Sequence, residues 1–235
     1  MERQEFPRLY ELREQVEGPE SAHAYVAYLS RPSLKGCILK DFREREADLQ
    51  GLDDPSWKYF KRELVPLLTR KDPKRGWQAL CDKLNEAKGY NYLVRIGCRE
   101  VTFVRRSGAR GQKTPDLEGG LASGKVICEV KTINRSEKET ARMNDGSVGA
   151  GFVKLPEAFF VKLKSTLEAA RQQMISYCQS SEAKRIAYVI VNYDEFLHEC
   201  GTEYRSQIDA FMASNPFPGL EVEFDIKPDF YYATA

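Results

Sequence analysis

The sequence predicts an α/β fold. Its core, over residues 75–195, runs helix, three-stranded meander, helix, strand; a helical region over 1–74 precedes it, and a helix and strand over 196–235 pack on it. Three observations carry this reading. Apolar residues in the first third recur at i, i+3, i+4, i+7. Val101 and Phe103 sit in a short alternating run, and Val126 to Lys131 is a compact stretch rich in β-formers. The stretch from Arg185 to Tyr193 is nearly all apolar, as suits a strand covered on both faces.

In the helical region, Gly18-Pro19 followed by Ala22, Tyr25, Val26 and Leu29 gives a start signal and a helical stripe that stops before Pro32. Ser33 is the N-cap of a second helix, which carries Leu34, Cys37, Ile38 and Phe42 inward and closes near Gly51. A third runs from Pro55 to Thr69 on Trp57, Phe60, Leu64 and Leu67, with Pro66 placed to kink it. Lys71-Asp72-Pro73-Lys74 reads as a connector.

The first core helix has Trp77, Leu80, Cys81 and Leu84 on one face and is ended by Gly89. Val101 and Phe103 begin the meander, Asp116-Leu117-Glu118 leads to a turn at Gly119-Gly120, and Val126 to Lys131 forms the next strand. The polar stretch from Thr132 to Gly151 is longer than most connections in compact domains, which marks it as functional or mobile. Pro156 opens the longest helix, with the stripe Leu155, Phe159, Leu163, Leu167, Ala170, Met174 and Tyr177, ending near residue 179. Tyr204 to Met212 adds a helix. Leu220, Val222, Phe224 and Ile226 then alternate with Glu221, Glu223 and Asp225 in a half-exposed strand.

Composition bounds the function. A chain of 235 residues, 42% hydrophobic and 11% aromatic, makes one large or two small domains and is neither a disordered tail nor a disulfide-dependent miniature. No apolar run approaches the roughly 18 residues of a membrane span, and the charged opening MERQEFPRLYELREQVEGPE is no secretory signal, so the expected compartment is the cytoplasm. A net charge of +1 advertises no polyanionic partner, so a nucleic-acid surface has to be local. From Asp41 to Asp54 there are six acids and two bases, whereas Arg95 to Lys113 holds six bases and one acid. The six cysteines have no paired C-x-x-C spacing and read as reduced, mostly buried thiols; His23 and His198 are poor ligand candidates.

The chemistry gathers at Asp116, Glu129 and Lys131. Alternate residues of a strand share a face, so Glu129 and Lys131 point one way while Val126, Cys128 and Val130 point the other. Pairing of this strand with that of Asp116 would bring the two carboxylates within a few ångströms. Two hard oxygen ligands suit Mg²⁺ or Mn²⁺, with waters and the Val130 carbonyl completing the shell. Lys131 would orient or deprotonate a water, or stabilise charge developing on phosphate.

Pro115-Asp116, twelve intervening residues and then Glu129-Val130-Lys131 resemble the PD-(D/E)XK signature of the restriction-endonuclease-like nuclease superfamily. The resemblance implies a restriction-endonuclease-like core over roughly 75–194, with Asp116 and Glu129 as metal ligands and Lys131 as the catalytic lysine. It also implies an acidic residue in the first core helix, for which Glu86 is the candidate and Asp82 the rival. Gln173 and Tyr177 reproduce the Gln-x-x-x-Tyr spacing of the RecB-like members, which would add Gln173 to the catalytic set. The first 74 and last 40 residues match no named pattern.

Duller readings stand beside these. Glu129 and Lys131 would serve equally as an exposed charge pair, Glu118 as a turn-flanking acid rather than a second ligand, Tyr177 as core packing, and Gln173 as helix surface. Arg105, Arg106, Arg110 and Lys113 form a phosphate-contacting rim or a solvated loop. The expected activity is Mg²⁺- or Mn²⁺-dependent hydrolysis of phosphodiester bonds, in DNA ahead of RNA, with no membrane partner and with a homodimer suiting double-strand cutting. The alternative is a nuclease fold without cleavage that binds nucleic acid or a protein.

Overall fold

The computed structural model describes residues 3–16, 24–30, 36–105, 113–134, 154–194 and 200–229. It is a mixed α/β structure with a five-stranded sheet and, among the described residues, six α-helices. The described residues divide into two compact units, one running to Asn91 and the other starting at Tyr92.

The first unit is helical. It holds α1 (Pro7–Arg13), a 3₁₀ turn (Tyr25–Ser30), α2 (Gly36–Gln50), α3 (Asp54–Leu64), a second 3₁₀ turn (Val65–Leu67) and most of α4 (Gln78–Arg95). The helix expected around Tyr25 and Leu29 is a 3₁₀ turn instead; its proposed start at Gly18-Pro19, like the Ser33 cap, lies outside the described residues. Asp53 caps α3, its carboxylate accepting from Ser56 N at 2.8 Å. Pro66 ends this helix rather than kinking it. The tighter 3₁₀ turn advances the phase, so Leu68 rather than Leu67 is buried. The buried carboxylate of Glu46 accepts from the first-turn amides of α1, Arg8 N at 3.0 Å and Leu9 N at 2.9 Å.

Gly89 does not stop α4. A glycine inside a helix costs only about 1 kcal/mol, and the turns beyond it place Tyr90, Tyr92 and Leu93 in buried positions. The stop comes at Gly97, whose φ of 90° lies where side chains are strained.

The second unit carries the sheet: β1 (Arg99–Phe103), β2 (Leu117–Leu121), β3 (Gly124–Ile133), α5 (Glu157–Tyr177), β4 (Lys184–Asp194), α6 (Gly201–Ser214) and β5 (Glu221–Asp229). Its order is β1-β2-β3-β4-β5. The first three strands form the expected antiparallel meander, and β4 and β5 join parallel. The hairpin turn is Ala122-Ser123, not Gly119-Gly120, which lie inside β2. A Cβ on Gly119 would stand 3.3 Å from the Arg99 carbonyl and from Val101, so the close approach of β1 favours glycine there.

Parallel strands need a crossover, and α5 and α6 provide it over one face of the sheet. Leu163 and Leu167 of α5 share a buried cluster with Tyr204 and Ile208 of α6, with Ile133, Val189 and Val191, and with Phe224 of β5. Ala170 and Met174 pack on Ile127. Burying each such leucine contributes about 1.5–3 kcal/mol. The face of β3 that meets α5 thus has Ile127 and Ile133 in the core, with Glu129 and Lys131 between them.

Candidate active site

The local folding of β2 and β3 brings the distant acids together. The register pairs Leu117 with Cys128, so one step back Asp116 stands opposite Glu129. The Asp116 carbonyl accepts from Val104 N at 2.9 Å, which ties this residue to the end of β1, and its Oδ2 accepts from Val130 N at 2.8 Å. Asp116 is therefore held from both neighbouring strands.

Glu129 is 2% exposed. Lys131 Nζ donates to its Oε1. Gln173 Nε2, reaching down from α5, donates to its Oε2 at 2.8 Å and to the Thr114 carbonyl at 2.7 Å. Burial pushes the Glu129 carboxyl up to about 7, and the charge of Asp116 adds to the rise; Lys131 and Gln173 pull against it. The buried Glu129 carboxyl thus has the like charge of the partly exposed Asp116 beside it, a repulsion that a cation would relieve.

One turn further along α5 the pattern repeats. Tyr177 Oη donates to Glu118 Oε2 at 2.9 Å, and Lys125 Nζ, diagonal to Glu118 across the hairpin, reaches the same oxygen at 2.7 Å. Burial raises the Glu118 carboxyl but is outweighed by the hydrogen bonds from Lys125 and Tyr177, so it lies below its usual range. Tyr177 is more than core packing: its ring lies against the cluster of Ile127, Ala170 and Met174 while its hydroxyl holds an acid.

The structure thus brings together Asp116, Glu129, Lys131 and Gln173. Glu86 lies in the first unit, buried, with Lys83 Nζ donating to it at 2.7 Å, and Asp82 is half-buried on the same helix. Arg105 and Lys113 are exposed, whereas Arg106, Arg110, His23 and His198 lie outside the described residues. Sequence reasoning missed Lys125 and the Thr114 carbonyl. Lys125 was legible as a diagonal cross-strand partner of Glu118 once the hairpin turn is placed correctly.

Two carboxylates and adjoining backbone carbonyls are a fitting donor set for a hard divalent cation that keeps several of its waters, as Mg²⁺ does. The raised pKa of Glu129 is consistent with the fit, because the deprotonation that burial resists is what a bound cation would favour. Among the described residues no group of three or more His, Cys, Asp or Glu converges, so Asp116 and Glu129 would act as a pair. Cys81, Cys98 and Cys128 are buried free thiols, and burial pushes Cys128 well above the usual thiol range. No described helix is long and apolar enough to cross a membrane. No protein family, curated protein or solved structure matches this chain.

Proposed function

We propose that this chain is a metal-dependent nuclease that hydrolyses phosphodiester bonds, in DNA ahead of RNA, from a restriction-endonuclease-like core with Mg²⁺ or Mn²⁺ held by Asp116 and Glu129. One observation carries the reading: two acids far apart in sequence, Asp116 just before β2 and Glu129 on β3, come together, with the ammonium of Lys131 on one of them.

The chain's own residues divide the work. Val130 N–H orients the Asp116 carboxylate, and Gln173 orients that of Glu129. Lys131, whose side chain keeps 29% of its surface exposed, positions a water for in-line attack and then faces the negative charge that develops on the phosphate. A bound divalent ion would polarise the phosphodiester and make the attacking water more acidic. Arg105 and Lys113, exposed at the two ends of the connection before Asp116, contact flanking phosphates. The reading places the enzyme in the cytoplasm, where a homodimer would present two cleavage centres.

The test incubates the purified chain with plasmid, linear duplex, single-stranded DNA and RNA, with Mn²⁺ and then with EDTA. Wild-type cleavage that EDTA stops, and that Asp116→Asn and Glu129→Gln each lower by at least about 10²-fold, is the expected result. Undiminished cutting by both variants overturns it. Salt-dependent DNA binding without Mn²⁺ uptake would instead identify a non-cleaving binding module.

A further inference from the structure

We propose that Lys131 is the resident counter-cation of this site: its ammonium holds Glu129 while the chain is metal-free and leaves that carboxylate when a divalent cation takes it. The inference rests on the assignment of Asp116 and Glu129 as metal ligands. It adds an order of events, in which loading the site releases the lysine for its work on water and phosphate.

The partners of Glu129 differ in how readily they can leave. Gln173 is anchored on α5 and is tied to the Thr114 carbonyl at 2.7 Å through the same nitrogen. On the facing acid, the donor to Asp116 Oδ2 is the backbone amide of Val130. Gln173 leaves Glu129 only at the loss of its Thr114 bond as well, and the Val130 amide only with a shift of the strand. Lys131 is different, because it is bonded at the tip of a long flexible side chain that is 29% exposed, beside a glutamate side chain that is 3% exposed. Its ammonium can swing to solvent with no change in backbone.

Charge makes the exchange necessary. A buried Glu129 carboxylate beside the partly exposed charge of Asp116, left without a cation, would be strongly disfavoured, so the metal-free fold needs Lys131 on Glu129. With a divalent cation on the same oxygens the ammonium becomes a like charge at close range, and the two positive groups compete. A lysine serving both states keeps the carboxylates organised before metal arrives.

The experiment compares wild type, Lys131→Met and Lys131→Arg by calorimetric Mn²⁺ titration, by thermal unfolding with and without Mn²⁺, and, for wild type, by reductive methylation of Lys131 read by mass spectrometry. Lys131→Met should bind Mn²⁺ about tenfold more tightly than wild type, melt at a lower temperature without metal, and gain more from Mn²⁺. Lys131→Arg keeps the positive charge and should bind as wild type does. Methylation of wild-type Lys131 should speed up when Mn²⁺ is added. Equal or weaker Mn²⁺ binding by a folded Lys131→Met, or methylation that Mn²⁺ leaves unchanged or slows, overturns the role of the lysine while leaving the metal assignment standing. Absence of Mn²⁺ uptake by wild type overturns both.

Discussion

Gln173 and Glu129 meet where α5 crosses β3, and a single amide nitrogen of Gln173 donates both to Glu129 Oε2, at 2.8 Å, and to the Thr114 carbonyl, at 2.7 Å. The carboxylate is thereby fixed from the helix above, and the segment entering β2 is fixed with it. A buried acid has few rotamers that keep its oxygens paired, and this contact selects among them.

Gln173→Ala should therefore act through the orientation of Glu129. Loss of such a supporting hydrogen bond costs about 10–100-fold in metal affinity or activity. The expected outcome is a fall of that size in kcat for Mn²⁺-dependent cleavage with KM little changed; steady-state kinetics on a linear duplex check it. An unaltered kcat would show that the amide does no positioning.

The acidity of Glu129 gives stability a definite pH dependence. In the folded chain its carboxyl is pushed up to about 7, mainly by burial, against 4.5 for an ordinary glutamate. Between those values the folded state binds more protons than the unfolded state, so stability is highest below the lower value and declines as pH rises towards 7. Urea unfolding in EDTA should show this decline over pH 5–7 in wild type, and a flatter profile in Glu129→Gln. Mn²⁺ binding below pH 7 should release protons, which calorimetry in buffers of different ionisation enthalpy measures.

Glu100 has a φ of 52°, a left-handed conformation that side chains disfavour. It lies where the β1–β2 register slips between Arg99↔Gly120 and Thr102↔Glu118, an irregularity in the ladder that coincides with this backbone. Glu100→Gly relieves the strain and should stabilise the fold by about 0.5–1 kcal/mol despite the added freedom of the unfolded chain. A shift of the urea midpoint upward at constant slope confirms it, and destabilisation refutes it.

Tyr177 and Lys125 share one acceptor, Glu118 Oε2, so their contributions should not add. Tyr177→Phe alone should cost up to about 1 kcal/mol, since the acceptor is partly exposed. In a double-mutant cycle with Lys125→Met, a coupling of at least about 0.5 kcal/mol is expected, measured by urea unfolding. Strict additivity would mean that the two groups hold Glu118 independently.

Local rules reached far in this chain. The β-formers of Val126 to Lys131, read with the alternation of a strand, and the nearly all-apolar run from Arg185 to Tyr193 identified β3 and β4, because a strand buried on both faces has few sequences open to it. The same alternation set Glu129 and Lys131 on one face, and helical spacing set Gln173 and Tyr177 one turn apart on α5. Proline and glycine misled where packing outweighed them. Gly89 sits inside α4 because burial of the turns beyond it exceeds a helix penalty of about 1 kcal/mol, and Gly119 serves a close strand approach rather than a turn. By itself, then, the sequence determined the kinds of element and which side chains share a face, both of which follow from periods of a few residues. Only the tertiary structure decided that Asp116 stands opposite Glu129, that Gln173 bridges Glu129 to Thr114, and that Tyr177 and Lys125 converge on Glu118. Register and helix docking depend on contacts between residues far apart along the chain, and no local period encodes them.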